Sequence, residues 1–175
     1  MLSPAAGPTF KRMNDVFELP AECSLPAALE AMGERWSFLI LRAAFNRLQH
    51  FEEFQATLGI ARNILANRLT RLVDHGILRR EPVATDKRKI KYVLTDKGYA
   101  LVPTLVALRQ WGERWETGAP AYPMLVDARD RKPIRQVAVL SHDGRELGKR
   151  DLVWAAPEEI VGEAGPAADE VKAAE

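Results

Sequence analysis

Residues 60–80 read IARNILANRLTRLVDHGILRR, and the fold turns on them. At about 100° per residue, Leu65, Leu69 and Leu72 gather on one side of a helix, with Val73 on the flank. Asn63, Asn67 and Thr70 fall on the opposite side, with Ala66 at its edge. Gly76 stops the helix, and the chain after it turns extended. The leucine stripe needs a core to cover it, whereas the asparagines have no obvious structural use. Just upstream, HFEEFQATLG (50–59) reads as a short amphipathic helix with Phe51, Phe54 and Leu58 inward and Gly59 as its stop. Downstream, ILRREPVA (77–84) and KIKYVLT (89–95) are two β-like runs joined by TDKRK (85–89), a hairpin with a basic tip.

A short helix, the connection LGI, a longer helix spanning 61–75 and a hairpin wing over 80–92 make a winged helix-turn-helix. The rest of the chain is arranged around it. CSLPAALEAM (23–32) suits a helix with Ser24 as N-cap and Pro26 in its first turn. GERWSFLILRAAFNR (33–47) suits a buried helix whose inward face is Trp36, Leu39, Ile40, Ala43 and Ala44. TDKGYALVPTLVALRQWGERW (95–115) opens with Thr95 as N-cap of a long helix, 96–115. Leu101, Leu105, Leu108 and Trp115 lie at near-heptad spacing along it, with Trp111 beside them. Pro103 should kink this helix unless it sits in the first turns. Residues 123–155 alternate, carry the turn signal HDG, and read as a small β-ribbon. The expected organisation is a flexible arm (1–20), a winged-helix domain (21–116), a ribbon segment (122–156) and a disordered acidic tail (157–175). The expected fold class is therefore mainly α with a β-hairpin wing, plus a C-terminal β-ribbon without metal.

The total charge is nearly balanced, 25 basic against 24 acidic residues, but its distribution is not. From Arg47 to Gly98 there are eleven Lys or Arg against six Asp or Glu; from Pro157 to Glu175 there are six acids and one Lys. A basic middle is what a polyanionic partner requires. Cys23 is the only cysteine, which excludes an internal disulfide framework and suggests a reducing compartment. The N-terminus lacks a basic start followed by an apolar run, and no apolar stretch approaches the roughly 20 residues needed to span a bilayer. A soluble cytoplasmic protein with no membrane partner is expected.

Several long motifs in order carry a resemblance. Cys23 is followed thirteen positions later by the Trp36 of GERWSFLILRAAF, then by HFEEFQATLGIARNILANRLTRLVDHGILRR, YVLTDKG and LRQWGERW. From Cys23 to about Trp115 the chain resembles the HxlR-type winged helix-turn-helix transcriptional regulators. The resemblance implies a dimeric, DNA-binding bacterial regulator, here read as a repressor, with its first and last helices forming the dimer interface. It also implies, for some members, oxidant or electrophile sensing through the N-terminal cysteine. Three departures stand out. Ala61 replaces a helix-capping serine, and Ser24 replaces a proline. Arg131, Leu140 and Asp143 stand where longer members resembling this chain carry what look like zinc-binding cysteines. Arg stays protonated and Leu has no donor atom, so neither metal nor cofactor is expected there.

The expected DNA-binding set is Arg62, Asn63, Ala66, Asn67, Thr70 and Arg71 on the helix, with Lys87, Arg88, Lys89 and Lys91 on the wing. Asparagine can bond adenine bidentately in the major groove, while Lys and Arg meet phosphate. Arg71 flanks the asparagine face and reads as a phosphate contact. An ordinary solvated helix surface and a solubilising charge run are the bland alternatives; the family resemblance and the adjacent hairpin favour DNA. Leu101, Leu105, Leu108, Trp111 and Trp115 are expected at the dimer interface. Cys23 is either a buried small hydrophobe or a redox sensor at a helix N-terminus. An unknown small-molecule or oxidant effector, acting there or at a pocket in the dimer interface, is an alternative, as is a winged-helix module that binds protein. His50, His75 and His142 are scattered without ligand spacing, and adjacent Glu52 and Glu53 point apart on a helix, so no enzyme is expected.

Overall fold

The computed structural model describes residues 23–155 and 159–162. The expected arm over 1–20, and all of the acidic tail except 159–162, lie outside the described residues. The chain divides into two compact units, with the boundary after Val137.

The first unit is built on helices α1 (Ser24–Met32), α2 (Arg35–Phe45), α3 (Phe51–Leu58) and α4 (Arg62–Asp74), followed by strands β1 (Leu78–Val83) and β2 (Asp86–Leu94). Then come α5 (Asp96–Tyr99), α6 (Val102–Gly112) and a wider π turn, Glu113–Thr117. The architecture is mainly α with an antiparallel hairpin, as expected. Its core is closed by Ile40 and Leu41 from α2, Phe54 from α3, Leu65, Leu69 and Leu72 from α4, and Ile77 and Leu78 from the start of the hairpin, all essentially inaccessible. Each such side chain contributes about 1.5–3 kcal/mol on burial. The leucine stripe of α4 thus does what its spacing requires.

Local signals explain most of the ends. Gly59 sits at φ 61, a left-handed position that ends α3 and lets buried Ile60 drop into the core before α4 begins. The Glu53 carboxylate accepts the N–H groups of Gln49 and His50 at 2.9 Å each, which caps α3 and holds its pKa below the usual carboxylate value. Thr95 caps α5: its hydroxyl accepts from Gly98 N at 3.1 Å and donates to the Gly76 carbonyl at 2.6 Å. One hydroxyl thereby ties the turn after α4 to the start of the next helix.

Several expectations are corrected. The N-cap of α1 is Cys23, not Ser24, which begins the helix itself. The buried face of α2 is Ser37, Ile40, Leu41, Ala43 and Ala44, a small rotation from the expected one; Trp36 and Leu39 are half-buried on the flank. The long helix 96–115 is broken at residues 100–101, because Pro103 takes the first turn of a new helix, where its missing N–H costs nothing. The expected ribbon over 122–156 holds no strand among its described residues, only the isolated bridges Val126–Pro133 and Leu140–Glu146, one in each unit. In the first unit the reason is local. The Gln110 side chain donates to the Arg135 carbonyl at 3.1 Å and accepts from Val137 N at 2.8 Å, occupying the backbone groups that a neighbouring strand would use. Arg109 holds the same segment by donating to the carbonyls of Ala121 at 2.6 Å and Pro123 at 2.7 Å.

Two tight turns in this region involve the positions singled out in the sequence. In the first unit Arg131 takes φ 61, while Asp127 and Asp130 accept the N–H groups of Arg129 and Lys132. In the second, Asp143 accepts the Ser141 hydroxyl and the Arg145 N–H, which hold its pKa down; Leu140 is exposed. Among the described residues no three His, Cys, Asp or Glu side chains converge on a metal-sized site.

Candidate nucleic-acid interface

α3, the turn at Gly59 and α4 form the helix-turn-helix pair. Because Leu65, Leu69 and Leu72 face the core, helical geometry leaves Asn63, Ala66, Asn67 and Thr70 exposed, and they are. Asn63 and Asn67 stand one turn apart on that face. Ala61 is the N-cap and provides no side-chain bond, so the first-turn N–H groups of α4 are left for an outside acceptor. Arg62 lies with its guanidinium carbon 4.6 Å from the Phe51 ring centroid, at the start of α3.

Arg71 differs from the expectation. It is half-buried and turned toward α1, donating from Nε to the Glu30 carbonyl at 3.2 Å and pairing with the Glu30 carboxylate through Nη2. Arg68, outside the expected set, is also drawn in and pairs with Glu34. Neither tie has a sequence signal, since each partner lies more than thirty residues away.

The wing also differs in detail. Its connection is the two-residue turn Ala84–Thr85, and the basic run lies in β2, not in the loop. Pro82 pairs with Ile90 and Val83 with Asp86, so one step along β1 is matched by four along β2. Lys87, Arg88 and Lys89 fill that bulge, and all three are exposed. Proline offers no N–H to continue the ladder there. Lys91 is back in the ladder opposite Glu81, with Nζ 2.9 Å from the carboxylate. Arg79 bonds the same carboxylate at 2.6 Å. These two cations pull the Glu81 pKa below the usual value, Lys91 more strongly. Arg80, stacked over Tyr92 at 6.0 Å, is a further exposed cation on the hairpin.

The five residues expected at a dimer interface separate into two groups. Leu101 and Leu105 are half-buried against the core, whereas Leu108, Trp111 and Trp115 are 50%, 52% and 63% exposed. Leu25 and Leu29 on α1 are exposed as well. Cys23 is half-buried at the N-cap of α1.

Known proteins share this arrangement. An uncharacterised HTH-type transcriptional regulator of Mycobacterium tuberculosis is 41% identical over 92 residues, which are 53% of this chain and 58% of that protein. The chain therefore spans little more than half of that relative's length. The crystal structure of PA1607, a candidate transcription factor, superposes with a TM-score of 0.72 at 40% identity, covering 78% of this chain and 96% of that one. PA1374 of Pseudomonas aeruginosa, likewise a candidate transcription factor, gives a TM-score of 0.52 at 36% identity over 85% and 97%. The pattern of the HxlR-like helix-turn-helix family matches residues 31–119, just over half of the chain and the whole stretch from α2 to the π turn. With the helix pair, the wing and the sequence pattern in agreement, the chain belongs to the HxlR-like helix-turn-helix family.

Proposed function

We propose that this protein is a sequence-specific DNA-binding transcriptional regulator that acts in the cytoplasm as a homodimer on a palindromic operator. The observation that carries this reading is α4. It presents Asn63, Asn67 and Thr70 on an exposed face, begins with uncapped N–H groups, and runs directly into a hairpin whose bulge holds three exposed cations, of which Arg88 also pairs with Asp86 at 3.3 Å. The asparagines read base edges in the major groove, and Lys87, Arg88 and Lys89 meet phosphate. Self-association uses the exposed Leu108, Trp111 and Trp115 together with the exposed leucines of α1. Two-fold symmetry then makes the operator a palindrome.

Asn67→Ala is expected to lose roughly 1–3 kcal/mol on an operator selected from a random duplex pool, and little on random DNA. Lys89→Ala should weaken both alike and flatten the salt dependence by about one charge. Equal losses on both DNAs for Asn67→Ala would remove it from base readout. If the winged helix instead binds protein, the salt-dependent binding to sheared DNA that a regulator shows will be absent.

A further inference from the structure

Two arginines on α4 turn away from the asparagine face, and both are tied to the same neighbouring stretch of chain. Arg68 and Arg71 are one turn apart; their partners Glu34 and Glu30 are four residues apart, at the turn after α1 and in its last helical turn. Arg71 does more than make an ion pair. Its Nε and Nη2 both donate to the Glu30 carbonyl, one of the α1 carbonyls near the helix end. Such carbonyls lack a partner within their own helix, and the negative end of the helix dipole favours a cation. The turn itself is shaped to lie beneath these side chains. Gly33 has φ 70, and a Cβ there would meet Ser37 Oγ at 3.4 Å, Arg71 Nε at 3.7 Å and Arg68 Nη1 at 3.9 Å.

We propose that Arg71 and Arg68 are positioning residues that clamp α4 to the end of α1 and so determine operator specificity, without touching DNA themselves. The inference rests on the DNA-binding reading above and adds to it what sets the pose of the reading helix. Both guanidiniums are partly withdrawn from solvent, with side chains 31% and 21% exposed, and both already hold carboxylates. Base readout depends on where α4 lies to within a fraction of an ångström, because bidentate bonds to base edges tolerate little misplacement. Phosphate contacts from the flexible wing cations tolerate much more. A loosened clamp therefore costs specific binding and spares non-specific binding. Because α1 is also an expected dimer helix, the clamp passes the geometry of the dimer to the helix that reads DNA.

The test compares Arg71→Gln, Glu30→Gln, the double variant and the charge-swapped pair Glu30→Arg with Arg71→Glu. Affinity is measured on the selected operator and on random duplex across a salt series, and thermal midpoints are recorded. Each single variant is expected to lose on the order of tenfold on the operator, since a dimer carries the defect twice. Affinity for random DNA and the salt slope should stay unchanged, and the double variant should be no worse than either single one. The swapped pair should not regain operator affinity, because a glutamate at position 71 cannot donate to the backbone carbonyl at position 30. Arg71→Gln losing affinity on both DNAs with a flatter salt slope would make Arg71 a phosphate contact and overturn the proposal. A gain in DNA affinity for Glu30→Gln would overturn it too, because Glu30 would then be competing with phosphate. Losses on both DNAs in step with a lower thermal midpoint would reduce the clamp to plain stability. A parent protein that does not distinguish operator from random DNA removes the DNA-binding reading itself, and the clamp's role with it.

Discussion

Gly98 shows how a single position can be required for space and not for backbone freedom. A Cβ built on it would lie 2.4 Å from the Ile77 carbonyl oxygen and 2.9 Å from Leu94 Cδ2. The backbone oxygen cannot step aside, because Ile77 O also accepts from Thr95 N at 3.2 Å. Gly98→Ala is therefore expected to destabilise the fold by about 1–3 kcal/mol, the usual range for an overpacked core, despite the better helix propensity of alanine. Equilibrium urea unfolding followed by circular dichroism measures this, and an unchanged midpoint would contradict it. At this scale the sequence was legible where the cause is local. Gly59 and Thr95 could be read from the chain, since a left-handed stop and a hydroxyl cap act within a few residues. Arg71 could not, because its partner Glu30 lies forty-one residues away and nothing near Arg71 announces it.

At the scale of elements, α4 was the most legible and the wing the least. Three leucines at helical spacing leave one rotation of α4 possible, and that rotation fixes which polar residues are exposed. In α2 apolar residues surround the helix, so spacing alone does not single out its inward face, and Ser37 and Leu41 are buried where Trp36 and Leu39 are expected. A run such as DKRK looks like a turn by composition, yet the turn is Ala84–Thr85 and the run bulges from β2. The wing also contains its own charge regulator. Glu81 holds Lys91 and Arg79, and its folded-state pKa is depressed. Its contribution to wing order is therefore present above the ordinary glutamate pKa and is lost as pH falls through the lowered folded value. Glu81→Gln should free both cations and steepen the salt dependence of binding to random duplex by about one to two charges. A slope equal to that of the parent would show that neither cation reaches phosphate even when released.

At the scale of the whole molecule, the segment after the winged helix was the hardest to read, because alternation alone does not say what an extended chain pairs with. Up to Val137 it pairs with the side chains of α6, through Arg109 and Gln110, and so forms no ribbon. Self-association is the property that the sequence pattern suggested through Leu108, Trp111 and Trp115. Trp111→Glu is expected to shift the protein to monomer in sedimentation and to weaken operator binding through lost symmetry. A dimer that persists unchanged would take α6 out of the interface.

Helix α6 contains no fully buried residue. Its backbone amides are therefore guarded by a single layer of half-exposed side chains, and in a lone protomer its later turns should open and exchange their hydrogens quickly. A second copy seated over Trp111 would slow that exchange, and dilution would restore it. Deuterium uptake in peptides spanning 106–112, followed against protein concentration, would thus act as a gauge of assembly built into the chain. Uptake there that ignores concentration, while the core helices stay protected, would place the partner's footprint elsewhere.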